Sequence, residues 1–270
     1  MAGTVTHRGA RLTVRLLGRI EVATTDGASI RLPGRHAQAL FALLVLMRRP
    51  RSRDAIAAEL WPESDGTSSA GLRQALWLVR SGLSSAGLDP DSVLEVEPDT
   101  LGLRPEALKR IDVTDFEDCA RRPVCPDETA IAIYRGDLVE GLGHECFASE
   151  RERLSDLYED ALAKVAEHRL QAGDLDGARV AAEDLLARDP LREEAHAVLI
   201  AVHGMLGTRS QVVRRYRRLE AILARELDVA PLSETDATYR LAIARTIARS
   251  HERAITIDPH APTLLVAIGS

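Results

Sequence analysis

A 34-residue spacing in the second half of this chain restricts its fold more than any other feature. Gly173 and Gly207 stand 34 residues apart, as do Ala178 and Val212, Ala182 and Tyr216, and Leu185 and Leu219. Two turn-like runs, Ala172-Gly-Asp-Leu-Asp-Gly-Ala178 and Leu206-Gly-Thr-Arg-Ser-Gln-Val212, fall at matching places in the register. A period of this length, built from helix–turn–helix units, marks arrays in which each unit covers its neighbour's apolar face. Small residues at the turn and on the first helix's contact face let adjacent helices pack closely. Asp189-Pro190 is expected to cap the next helix and to set a proline in its first turn. Ahead of the repeats, Glu150 to Gln171 predicts one long helix, with Leu154, Leu157, Ala161, Val165 and His168 on or near one face. A generic helical bundle is the other packing this pattern allows.

The first 110 residues read differently. Leu12 to Leu17, Ile20 to Val22 and Ser29 to Leu32 are short β-segments, with Asp26-Gly27 as the turn between the last two. Arg35 to Arg49 is helical, with Leu40, Leu43, Leu44 and Met47 at helical spacing. A second helix runs from an expected Ser52 N-cap to Leu60, and Trp61-Pro62 stops it. A third starts around Thr67 to Ser69 and reaches Gly87; Leu72, Leu76, Val79 and Leu83 form one narrow buried stripe along it. Val93 to Val96 and Leu101 to Leu103 then flank a Pro98-Asp99 turn. Strands, three helices and a hairpin, in that order, spell a winged helix-turn-helix with an extra N-terminal sheet. The fold class expected is mainly α with a small β component, the winged helix being followed by an all-α, tetratricopeptide-like domain. The divisions expected are 1–110, 111–250 and a tail or start of a further segment over 251–270, where Thr263 to Ile268 reads as the beginning of a strand.

Charge divides along the same line. Residues 1–110 carry 15 Lys and Arg against 12 Asp and Glu, a surplus of 3, while the remainder carries 20 against 29, a deficit of 9. A mildly basic front half on an acidic back half suits a nucleic-acid module joined to a protein-contact module. Aromatics are only 3% of the chain, so Leu, Ala, Val and Ile must build the cores. No apolar run approaches the roughly 20 residues of a membrane span, and no membrane partner is expected. Cys119, Cys125 and Cys146 are odd in number and lack metal spacing, which fits reduced thiols and a cytoplasmic location. There is no Walker-type glycine loop, no His-Glu-x-x-His and no zinc pattern. Gly66-Thr-Ser-Ser-Ala-Gly71 lacks the spacing of a nucleophile elbow. His196 and His203 read as packing residues, and His144-Glu145-Cys146 has no matching ligand set. Neither an enzyme nor a cofactor is expected.

These residues also carry a family pattern. The run Arg35 to Trp61, ending in Ala57-Ala-Glu-Leu-Trp-Pro62, with Leu72-Arg-Gln-Ala-Leu76 and Val79-Arg80, resembles the DNA-binding domain of the SARP-type (antibiotic regulatory protein) activators. Asp99-Thr-Leu-Gly-Leu103, Asp112-Val-Thr-Asp-Phe116 and Tyr134-Arg-Gly-Asp-Leu138 are similar to the junction in that group. Glu150-Arg-Glu-Arg-Leu154, Ala172-Gly-Asp-Leu175, Asp189-Pro-Leu-Arg-Glu-Glu-Ala195 and Glu226-Leu-Asp-Val-Ala-Pro231 look like its bacterial transcriptional activator domain. The resemblance covers roughly residues 11 to 245. It implies a response-regulator-style winged helix on promoter direct repeats, bound as a homodimer or head-to-tail pair. It also implies activation by contact with RNA polymerase near its sigma subunit, with the helical domain supporting oligomerisation and that contact.

A winged helix inserts its third helix into the major groove, so the face opposite the buried stripe should meet bases. At about 100° per residue from Leu72, that face holds Arg73, Gln74, Trp77 and Ser81, with Arg80 at its edge. Arg can bridge guanine O6 and N7, and Gln can pair with adenine N6 and N7. Ser68 and Ser69, with the free amides of the helix start, could hold a phosphate, and Arg35, Arg51, Arg53 and Arg80 could clamp the backbone. Two features oppose this. Trp77, flanked by Leu78, is apolar where a groove face is usually polar, and the wing carries Glu95, Glu97 and Asp99. The second reading is therefore a protein-interaction adaptor whose winged helix no longer binds DNA.

Overall fold

The computed structural model describes residues 11–62, 68–121 and 128–257; of Ser68 and of 250–257 it describes the backbone alone. The reading of Thr263 to Ile268, Cys125, and the loop ahead of the third helix lie outside these residues. Packing divides the chain into two compact units, 1–158 and 159–270.

In the first unit, β1 (Leu12–Arg15), β2 (Glu21–Thr24) and β3 (Ser29–Ile30) form an antiparallel meander, with Val14 opposite Val22 and Val22 opposite Ile30. Leu12, Val14, Val22 and Ile30 all face inward and are buried. Gly27, at φ +94°, takes the turn conformation that a side chain disfavours. The first strand ends two residues earlier than its apolar run. The reason lies far along the chain: the amides of Leu16 and Leu17 leave the ladder and donate to the Asp112 carboxylate at 2.8 and 3.0 Å.

Helix α1 (Arg35–Met47) is buried on almost every side, from Ala37 to Val45, and stops where Arg48 turns left-handed at φ 55°. The strand β4 (Arg51–Ser52) leads into α2 (Arg53–Leu60), whose expected Ser52 cap is present: its hydroxyl accepts from the Ala55 amide at 3.2 Å. Such a cap is worth about 1 kcal/mol. Helix α3 (Ser68–Ser85) buries Leu72, Ala75, Leu76, Val79 and Leu83, the stripe expected from its spacing. The wing follows as β5 (Leu94–Val96) and β6 (Thr100–Leu103), antiparallel, closed by the Glu97 amide donating to the Thr100 carbonyl at 3.0 Å. Strand β4 adds to the far side of β6, so the entry to α2 is tied to the wing.

After the wing, β7 (Leu108–Ile111) returns to the first sheet and pairs parallel with β1, giving the order β3-β2-β1-β7. It runs directly into α4 (Asp112–Ala120), followed by α5 (Glu128–Ile133). The division by packing thus falls later than the 110/111 position expected from composition. Parallel pairing of β7 and the Asp112 contact hold these residues to the N-terminal sheet.

Helix α6 (Ala148–Gln171) matches the long helix expected, two residues earlier at its start. The second unit continues with α7 (Leu175–Arg188), α8 (Glu193–Leu206), α9 (Arg209–Glu226) and α10 (Ser233–Ile257). The 34-residue register is structural. Gly173 and Gly207 both adopt left-handed turns, at φ +81° and +75°. Ala178, Ala182 and Leu185 of α7 and Val212 and Leu219 of α9 are all fully buried. Tyr216 takes the remaining position half-buried and stacks on Tyr239 of α10 at 4.1 Å between ring centres. One local expectation is corrected. Asp189-Pro190 does not head α8, which starts three residues later with Arg192 at its N-cap position. The Asp189 carboxylate instead accepts from the Leu191 amide at 2.8 Å, closing a tight turn before the helix.

Candidate nucleic-acid interface

Two residues lock α3 against the rest of the winged helix. Trp61, at the end of α2, covers Gly71, where a Cβ would stand 3.2 Å from the indole Cε2. Gly82 lies under the chain leading to α1, and a Cβ there would come within 2.7 Å of the Arg31 carbonyl oxygen. Both glycines are needed for close approach rather than for backbone freedom. Opposite the buried stripe, Arg73, Gln74 and Trp77 are exposed, Trp77 to 66%, and Ser81 is half-buried. Among the described residues Arg73 has no ion-pair partner.

The phosphate candidates separate into two groups. Arg53 and Ser69 line one depression with the base candidate Arg73 and with Ser52, Asp54, Pro98 and Asp99, where the starts of α2 and α3 meet the wing. The Arg53 amide donates to the Asp99 carbonyl at 2.9 Å, fixing that junction. The Arg53 guanidinium donates only a long bond, 3.5 Å, to the Glu97 carbonyl, whereas the other arginines are held more closely within the protein. Arg35 donates to the Gly141 carbonyl at 2.8 Å, and Arg51 pairs with Glu59 at 2.7 Å. Arg80 pairs with Asp91 at 2.8 Å; that hydrogen bond and the guanidinium charge hold the Asp91 carboxyl below its ordinary value. Of Ser68 only the backbone is described. Exposed ion pairs such as those of Arg51 and Arg80 contribute about 0–1 kcal/mol, so a phosphate can compete for these two arginines.

Sequence reasoning missed Asp91. It lies in a 3-10 turn (Pro90–Ser92) with no periodicity to connect it with α3. The acidic wing was visible and is real: Glu97 and Asp99 are exposed, Glu95 is half-buried, and none of their carboxylates has a partner among the described residues.

A second cluster sits behind α2. His36 packs against Trp61 and edge-on to His144, with ring centres 5.6 and 5.9 Å apart, and His144 meets Phe147. Burial, with the charges of His36 and Arg35, lowers the His144 pKa. Burial also pushes the Cys146 thiol up to about 11, which keeps it protonated and unreactive. This cluster joins the segment after α5 to the helix pair of the winged helix. Among the described residues no helix is long and apolar enough to cross a membrane.

A winged helix with a wing-tied helix pair, whose flanking strands form a four-stranded sheet, followed by stacked helices, is the architecture of the SARP-type transcriptional regulators. Residues 117–241 match the family model of the bacterial transcriptional activator domain. The chain is 27% identical over 256 residues to the transcriptional regulatory protein EmbR of Mycobacterium tuberculosis and of Mycobacterium bovis, a match that covers 86% of this chain. It spans 63% of the length of those curated relatives. A solved structure described as Mycobacterium tuberculosis EmbR in complex with low affinity phosphopeptide shares the fold, with a TM-score of 0.68 and 23% identity. That match covers 94% of this chain and 73% of the solved one.

Proposed function

We propose that this chain is a sequence-specific DNA-binding transcriptional regulator, an activator that binds promoter direct repeats and recruits RNA polymerase, near sigma, through its helical domain. The observation that carries the reading is the outer face of α3, where Arg73, Gln74 and Trp77 are exposed and Arg73 has no ion-pair partner among the described residues. Base contacts come from Arg73, Gln74, Trp77 and Ser81; Arg53, Ser68 and Ser69 hold phosphates near the start of α3. Arg35, Arg51 and Arg80 reach phosphates only by exchanging the partners they now have. DNA contact lies within residues 1–110, and a homodimer or head-to-tail pair supplies the affinity that an acidic wing withholds from one copy. Phosphate neutralisation dominates non-specific affinity, so an acidic wing makes a single copy weak.

A gel-shift assay of the full chain against DNA upstream of its own and neighbouring genes tests this. A retarded band that survives excess random duplex supports it. The acidic wing and exposed Trp77 favour a second reading, a protein-interaction adaptor that has lost DNA binding, and failure to retard any duplex at low salt favours that one.

A further inference from the structure

We infer that Trp77 reads the 5-methyl group of thymine in the major groove, so that the site recognised by α3 must contain thymine under the middle of that helix. This rests on the DNA-binding reading above and adds the base that one residue selects.

Trp77 is the largest side chain on the outer face of α3 and is 66% exposed. Its neighbours on that face are Arg73 and Gln74 one turn before it and Ser81 one turn after it. The indole is the one apolar group of these four and stands open to solvent. It carries no charge, so attraction to phosphate does not account for it, and covering its apolar surface on binding is favourable. On the major-groove edges of the four base pairs, the thymine methyl is the one apolar group, and the neighbouring O4 accepts a hydrogen bond. An indole offers both complements, an apolar face and a single N–H donor. Gln74, three residues earlier, is suited to adenine N6 and N7. At 1.5 Å per residue the two positions lie about 4.5 Å apart along the helix, close to the roughly 3.4 Å step of base pairs. Gln74 and Trp77 would then read adjacent A·T pairs, and Arg73 a guanine beside them.

Selection of the full chain against a random duplex library, followed by thymine-to-deoxyuridine replacement in the selected site, tests this directly. Deoxyuridine removes only the methyl group. The expected result is that wild type loses about fourfold in affinity at one or two positions, the value of one buried methyl group. Trp77→Ala should bind the thymine and deoxyuridine duplexes equally, and more weakly than wild type binds the thymine duplex. Trp77→Phe should keep part of the discrimination. Because the residue is exposed, thermal melts of both variants should match wild type. If wild type ignores the replacement, or Trp77→Ala keeps the full discrimination, the inference is overturned while DNA binding stands; a protein partner then becomes the occupant of Trp77. If wild type selects no sequence, the DNA-binding reading falls and this inference with it.

Discussion

The carboxylate of Asp112 accepts the backbone N–H of Leu16 at 2.8 Å across 96 residues of chain, and its other oxygen accepts from Leu17 at 3.0 Å. Asp112 is 8% exposed, and burial raises its pKa by more than these two amides lower it. Asp112→Asn replaces one acceptor with an N–H facing a buried N–H. A buried donor left unsatisfied costs about 1–3 kcal/mol. A thermal midpoint several degrees below wild type is expected, and an unchanged midpoint would show that the contact holds nothing.

Gly204 of α8 faces Ala242 of α10 so closely that a Cβ would lie 2.7 Å from the alanine Cβ and 2.8 Å from its Cα. Alanine is the better helix former by about 1 kcal/mol. Gly204→Ala should nevertheless destabilise, because separating the helices costs about 1–3 kcal/mol. Ala178→Leu should do the same, since Ala178 is fully buried in the repeat register. Denaturant unfolding of each variant gives the sign; a stabilised Gly204→Ala would refute the close packing.

His196 is 2% exposed; its Nε2 donates to the Pro190 carbonyl at 3.1 Å, which assigns the tautomer, and its buried Nδ1 has no partner among the described residues. Burial lowers its pKa; the Pro190 carbonyl works against this, while Arg215 and Arg218 add to it. The unfolded chain therefore takes up the proton first. The contribution to stability is present above the ordinary value of about 6.5 and is lost as pH falls below it. His203 of α8 and His144 of the first unit shift in the same direction. Melting temperatures should fall from pH 8 to pH 5, and His196→Gln should flatten part of that slope. An undiminished slope in the variant would remove His196 from the account.

The legible parts of this fold were those with a period. The stripe Leu72, Leu76, Val79 and Leu83, the Ser52 cap and the 34-residue register could each be read from spacing and are all present. Long-range pairings were not legible. Strand β4 is two residues long and cannot display alternation, and Leu108-Lys-Arg-Ile111 shows no sign of its parallel partner. The outward face of α3 followed from helix geometry. The partners that occupy Arg35, Arg51 and Arg80 did not, because Gly141, Glu59 and Asp91 come from elements whose approach is set by tertiary packing.

Releasing Arg80 from Asp91 should increase DNA binding. Asp91→Asn removes the charge that holds the guanidinium at 2.8 Å and leaves Arg80 free for a phosphate. One added phosphate contact steepens the dependence of log K on log salt by about 0.9. Titration of random duplex at several salt concentrations measures this slope, and a slope equal to that of wild type would leave Arg80 outside the interface.

The central claim is that α3 reads bases, and Arg73→Ala tests it most directly. Full-length wild type and variant are titrated against the selected duplex and against random duplex at one salt concentration. The account predicts a loss of about 1–3 kcal/mol on the selected duplex, the value of one bidentate base contact, with little change on random DNA. An equal loss on both duplexes would make Arg73 a phosphate contact, and a wild type that prefers no duplex over another would contradict the account itself.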